Sequence, residues 1–218
     1  MFRYRIQYSK RGSACYISHL DLIRALERAF RRAGLPIAFS EGFNPHPRFS
    51  FAAPLPVGVE GLAEVLEVEM KEPVDHQVLA ERLNGALPPG LVVLEVADVP
   101  DNAPSPMAVL TGAGYIVHLD EDDLPGPLPA EAVRHFLSQE KIQVTRKGKD
   151  DKEKVRDIRP GILKLNVLSQ VNGLTIQLDL KTGSTMNVRP EEAVDAFFRY
   201  TGMSIDKADL QIIRSGLF

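Results

Sequence analysis

Tryptophan is absent from the 218 residues, and cysteine occurs once, as Cys15. A lone cysteine excludes an intrachain disulfide. It also excludes an iron–sulfur cluster or a Cys-rich zinc site held by this chain, since each needs several thiolates. Cys15 precedes Tyr16 at an expected strand end, with no visible setting that would lower a thiol pKa, so it reads as a half-buried structural thiol. No run of about 18 apolar residues occurs, so no membrane span is expected. The opening Met-Phe-Arg-Tyr-Arg-Ile-Gln lacks an apolar signal core, and cytoplasm is the expected location. Also missing are a G-x-G-x-x-G opening a helix, a G-x-x-x-x-G-K-[ST] loop and an H-E-x-x-H pair. The aromatic RNP pattern of RRM domains is absent as well. Nucleotide-dependent catalysis thus has no support, and no cofactor is expected.

What is present suits a globular protein with a real core: 44% hydrophobic and 25% charged residues. The net charge is only −3, but it is unevenly spread. Residues 1–50 carry nine Lys/Arg against three acids, and residues 51–100 carry two against nine. Such local asymmetry favours an anionic partner for the first stretch.

The apolar periodicity gives two similar plans. Phe2 to Tyr8 alternates as a strand exposed on one side. A helix follows over 19–33. Ile37–Phe39 and Phe49–Ala53 are short extended pieces. Glu64–Lys71 is a strand, Asp75 caps a second helix, and Leu91–Val96 is a strand. The order β-α-β-β-α-β is the ferredoxin-like plan. Val99–Pro106 is a Pro-rich linker. Beyond it, strands are expected at Met107–Leu119, Ile142–Arg146, Ile162–Leu168, Leu174–Leu180 and Ala208–Arg214, with helices at Ala130–Gln139 and Pro190–Tyr200. Asn172-Gly173 marks a hairpin turn. The polar stretch 147–160, KGKDDKEKVRDIRP, reads as an exposed, mobile loop. The expected class is α+β: two tandem ferredoxin-like (βαββαβ) domains with antiparallel sheets, 1–100 and 105–218, the second with one extra strand.

One stretch concentrates the chemistry, YISHLDLIRALERAFRRAGLPIAFSEGFNPHPR over 16–48. Ser18 is a natural N-cap with Asp21 three residues on, an acidic variant of the capping box. Leu22, Leu26, Phe30 and Ala33 form an apolar stripe. Arg24, Arg28, Arg31 and Arg32 occupy the remaining surface, where guanidinium forks suit phosphate oxygens. The plain alternative is a solvated face in which Glu27 pairs with Arg24 or Arg31. Gly34 and Pro36 end the helix. The loop SEGFNPHPR then holds His46 between two prolines.

The segment SHLDLIRALERAFRRAGLPIAFSEGFNPHPRFSFAAPLPVG resembles the signature of the bacterial radical-SAM-associated (radical-SAM-linked) domain of unknown function. The resemblance is dense over Phe2 to Met70, and RDIRPG is similar too. It implies a radical-SAM protein as a partner. A chain with one cysteine cannot carry that cluster itself, so any such chemistry lies in another protein.

The expected function is an RNA-binding accessory module, for tRNA or ribosomal RNA, beside a separate radical-SAM protein. Arg24, Arg28, Arg31 and Arg32 would hold phosphates, with Arg48 nearby, His19, His46 and Asn44 at the recognition end, and Lys147 and Lys149 in the loop that makes a second contact. Phe43, Phe49 and Phe51 offer stacking faces, although Phe49 and Phe51 alternate as a core strand would. A second reading is a metal-independent endoribonuclease with His19 and His46 as acid and base. It rests on the similar paired ferredoxin-like architecture of CRISPR repeat-processing endoribonucleases. His19 and His46 otherwise read as a residue packed beside the cap and a hydrogen-bonder within the loop. A third reading is a protein–protein adaptor that touches no RNA. No metal site is expected, because His19, Asp21 and Glu64 lack metal-ligand spacing. Glu64 shares parity with Leu66, Val68 and Met70 and needs a cation, expected from the first helix or the loop. His76, His118 and His135 read as structural.

Overall fold

The structure is a computed structural model that describes residues 1–147, 152–183 and 185–218. The chain forms two compact units. One is Met1–Leu110 together with Arg214–Leu217; the other is Thr111–Ile213 together with Phe218. Both combine helices with a mostly antiparallel sheet.

The first unit contains β1 (Phe2–Lys10), α1 (His19–Arg32), β2 (Phe49–Phe51), β3 (Glu60–Met70), α2 (His76–Ala86), β4 (Leu91–Asp98) and the short α3 (Pro106–Val109). β1 lies between β4 and β3, antiparallel to both, and β2 pairs antiparallel with β3. Strand parity makes the two faces of this sheet different. Tyr4, Ile6 and Tyr8 of β1 and Leu66, Val68 and Met70 of β3 point under the helices. Against them pack Leu22, Leu26 and Phe30 of α1 and Leu79 and Leu83 of α2, all nearly inaccessible. Burying each of these Leu or Phe side chains contributes roughly 1.5–3 kcal/mol. The opposite parity gives Arg3, Arg5, Glu67 and Glu69 on the other face.

Local chemistry sets the helix ends. Ser18 Oγ accepts from Asp21 N and donates to the Asp21 carboxylate, which begins α1. Gly34, at φ +64°, ends it, because a residue with a Cβ resists that conformation. Asp75 accepts from the amides of Gln77 and Val78 and begins α2. Between α1 and β2 the chain first runs beside the end of β3, with Ile37 bridging Met70, then turns out as a small hairpin.

The second unit contains β5 (Gly112–Leu119), α4 (Ala132–Leu137), β6 (Gln143–Lys147), β7 (Glu153–Asp157), β8 (Ile162–Ser169), β9 (Leu174–Lys181) and α5 (Pro190–Tyr200). β9 pairs with both β5 and β8. The last strand, β10 (Gln211–Leu217), follows, and Phe218 exchanges backbone hydrogen bonds with Gly112. Asn172 (φ 54°) and Gly173 (φ 105°) form the tight β8–β9 turn. Phe136 of α4 and Phe197 of α5 pack edge to face, ring centroids 5.3 Å apart.

The expectation for 147–160 is corrected in part. Glu153–Asp157 is a strand, paired antiparallel with β6 in a separate two-stranded ribbon. The expected single extra strand is therefore a hairpin of two. Met107–Leu119 is also not one strand: Pro106–Val109 is helical, and β5 begins at Gly112.

Candidate nucleic-acid interface

At 100° per residue, Leu20, Arg24 and Arg31 fall within about 40° of one another on the outward side of α1. Arg28 lies beside them, towards Asp21 and Arg32. Arg24 bonds Asp21 at 3.1 Å, and Arg31 bonds Glu27 at 3.1 Å. Both guanidiniums remain largely in water, so these pairs are weak and exchangeable. Among the described residues Arg28 forms no ion pair; its charge joins Arg24 and the Ser18 hydroxyl bond in holding the Asp21 carboxyl below the usual range, the hydroxyl bond contributing most. Arg32 is committed differently, donating to the Ala86 carbonyl at the end of α2. The row that faces solvent is thus Arg24, Arg28 and Arg31.

The hairpin after α1 is built by its own backbone. Ser40 N donates to His46 O at 2.8 Å, His46 N donates to Ser40 Oγ at 2.9 Å, and Phe39 bridges Pro47. Gly42 takes φ +116° at its tip. Glu41, Phe43, Asn44 and His46 are all exposed, and Phe43 reaches 106% of a reference exposure. Phe49 and Phe51, by contrast, lie under α1. Phe49 packs against Phe30 (5.4 Å between centroids) and Phe51 against His19 (4.8 Å). Arg48 bonds Glu69 at 3.0 Å and is half-buried, so it is not a free phosphate ligand.

The structure does not bring His19 and His46 together. His19 sits over Phe51, which pairs with Leu66 of β3. The base of the hairpin is level with Glu69, where Arg48 O accepts from Glu69 N. Three residues along a strand are about 10 Å, and His46 lies farther out along the hairpin. Acid–base cleavage needs both groups within one hydrogen bond of a single phosphodiester. His19 is also held below the usual imidazole range, first by burial and then by the charge of Lys10.

Lys147 ends β6, next to Arg146, whose guanidinium is engaged by Glu192 at 2.7 and 2.5 Å. Lys149 lies outside the described residues. Lys152, Lys154 and Arg156 on and beside β7 are exposed. Arg159 turns inward, bonding the carbonyls of Leu137 and Ile162.

Glu64 has a partner that sequence order hides, and the expectation of a cation from α1 or the loop is corrected. Arg214 of β10 grips it with Nε to Oε1 at 2.8 Å and a second, shorter bond from its terminal nitrogen. Arg214 also bonds the carbonyls of Ala53 and Pro54. Both side chains are sealed, 1% and 2% exposed. Nearby, Lys10 is 1% exposed and donates to the carbonyls of Cys15 and Ile17. Burial lowers the pKa of Lys10 and raises that of Tyr8. The even parity of Lys10 with Tyr4, Ile6 and Tyr8 was the one sequence signal for its inward course. Among the described residues no group of three His, Cys, Asp or Glu side chains is placed to hold a metal.

The other face of this sheet carries a cleft of about 480 Å³ lined by Arg3, Arg48, Ser50, Glu67, Glu69 and Asp101. Its charges neutralise each other. Glu67, buried, takes both Arg3 and Arg5 at 2.7 Å.

A family described as "Uncharacterized protein conserved in bacteria (DUF2344)" matches residues 3–190. No curated protein matches. Among solved structures, the chain is similar to one in a Cbf5-Nop10-Gar1 complex at 10% identity and TM-score 0.49, covering 98% of this chain and 48% of that one. A chain of the archaeal box H/ACA sRNP Nop10-Cbf5 complex gives 13% identity, TM-score 0.47 and the same coverage. An unknown protein from Galdieria sulphuraria gives 11% identity and TM-score 0.30, with 98% and 97% covered. This chain spans about half the length of the first two.

Proposed function

We propose a reading for a chain that belongs to the DUF2344 family of uncharacterized bacterial proteins: it is an RNA-binding accessory module for tRNA or ribosomal RNA, working beside a separate radical-SAM protein. The observation that carries the reading is the outward row of α1. Arg24, Arg28 and Arg31 stand in solvent, two with exchangeable surface partners and one with none among the described residues. Phosphates would displace Asp21 and Glu27 at little cost, since exposed pairs contribute about 1 kcal/mol or less. The positively charged first fifty residues would add long-range attraction.

In this reading each unit is a ferredoxin-like module. The first has the strand order β4-β1-β3-β2 with α1 and α2 on one face. The second has the order β5-β9-β8, with the β6–β7 ribbon as an insertion and, of β10, only Gln211–Ile213. The nuclease alternative draws no support from a geometry that separates His19 from His46. The adaptor alternative draws on one observation. Tyr16, Leu20 and Val57 are exposed, and the bond from Gly58 N to Cys15 O sets the Val57 turn beside the Tyr16 turn.

The test is fluorescence anisotropy of the purified protein against labelled tRNA and rRNA fragments, at low and moderate salt. Binding that weakens with salt and collapses in an Arg24/Arg28/Arg31→Ala triple variant is expected. Absence of binding at low salt sinks the RNA reading. A radical-SAM protein co-purifying without RNA affinity would then leave the adaptor.

A further inference from the structure

Resting on the RNA reading above, we propose that the hairpin Ser40–His46 reads unpaired RNA, with Phe43 as the platform on which one extruded nucleobase stacks.

Phe43 is the most exposed large apolar side chain among the described residues, and it sits on no neighbour that would excuse its position. A single exposed apolar side chain is ordinary on a protein surface; what sets Phe43 apart is the support under it and the polar groups around it. The hairpin beneath it is preorganised. Two Ser40–His46 hydrogen bonds and the Phe39–Pro47 bridge close its stem, Pro45 and Pro47 restrict its backbone, and Gly42 supplies the positive φ at its tip. A ring held out on a stiff stem loses little freedom when a flat partner covers it.

The chemistry around the ring selects a base rather than a phosphate. The nearest arginine or lysine in sequence, Arg48, is tied to Glu69. The hairpin instead offers Glu41, Asn44 and His46, all exposed. A carboxylate repels phosphate but accepts hydrogen bonds from the amino and imino groups of a base edge. Asn44 both donates and accepts. Stacking face and edge-reading groups together fit a nucleobase whose face and edge are free. A-form duplex hides both, so the ligand is a loop, bulge or single strand. Phosphates of the same strand would fall to the α1 arginines.

The experiment uses the full chain and three RNA probes of equal length at one salt concentration: an unstructured strand, a hairpin with a large loop, and a blunt duplex. The unstructured strand carries 2-aminopurine, whose fluorescence is quenched by stacking. Phe43→Ala is expected to lose on the order of tenfold in affinity for the strand and the loop, and to abolish the added quenching. Its duplex affinity should be unchanged. Phe43→Tyr should restore strand binding. Because Phe43 is in solvent, thermal unfolding of Phe43→Ala should match the parent, which separates lost stacking from lost folding.

If strand and duplex bind equally and Phe43→Ala changes neither, the stacking inference is overturned while the RNA reading stands, provided the arginine triple variant still loses binding. If no RNA binds at all, both fall. A protein partner lost with Phe43→Ala, with RNA affinity unaltered, would also overturn it.

Discussion

Two arginine–carboxylate settings in the first unit share a chemistry and little else. Arg214 meets Glu64 out of water, with two bonds to the carboxylate and more to the carbonyls of Ala53 and Pro54. Arg24 meets Asp21, and Arg31 meets Glu27, on the outer surface of α1, each through one 3.1 Å contact. In the first setting water is excluded, so neither charge can exchange its partner for solvent, and the pair is part of the fold. In the second, water competes throughout, so the same groups are free to change partners. Burial, not residue type, decides whether a guanidinium is a structural part or a contact waiting for a ligand.

Substitutions break the comparison in order of size. Arg214→Met leaves Glu64 buried without its hydrogen-bonded cation, and should cost about 3–5 kcal/mol in urea unfolding. Adding Glu64→Leu should recover most of the loss, because an apolar pair no longer carries an unsatisfied charge. A double variant as unstable as the single one would mean that the backbone carbonyls, not Glu64, are what Arg214 serves. The Arg24/Arg28/Arg31→Ala triple should do the reverse. Its salt dependence of RNA binding should flatten by up to about three counterions, while its stability changes little. Arg24→Ala alone should alter unfolding by about 1 kcal/mol or less; a larger loss would show that the surface pair belongs to the fold after all.

The smallest effect concerns His19. Its imidazole lies below the ordinary value of 6.5 because it is packed on Phe51 and faces the charge of Lys10. The unfolded chain therefore takes up this proton first as the pH falls. Stability should decline from about pH 6.5 downward and level off below the depressed value. Urea midpoints at pH 7.5 and pH 5.5 should differ less in His19→Gln than in the parent.

Features governed by neighbours in sequence were legible. Ser18 and Asp21 at the start of α1, Gly34 at its end, Asp75 before α2 and Asn172-Gly173 between β8 and β9 each act within a few residues. Strand parity also located the buried face of β1 and β3. What could not be read depends on distance or on the absence of burial. Arg214 is 150 residues from Glu64, and nothing near either names the other. Arg32 reaches Ala86 only because α1 and α2 pack. β7 carries no apolar alternation, since its residues are exposed or nearly so, and its ladder to β6 alone makes it a strand. On the candidate interface, the arginine row and Phe43 were visible as residue types. That Arg48 is tied to Glu69, and that Phe43 stands clear of the core, required the fold.

The Glu64–Arg214 contact also imposes a schedule. While the chain is being made, β3 is present long before β10, so Glu64 must wait, ionised and solvated, until Arg214 has been synthesised. Closing so long a loop is slow compared with forming local helices and hairpins. In that interval the Glu64 end of β3 lacks its partner, a nascent-chain state in which chaperone contact and premature association are most expected. The last step in completing the first unit is therefore a tethering event set by the ribosome's progress, not by the order in which its own helices and strands are written.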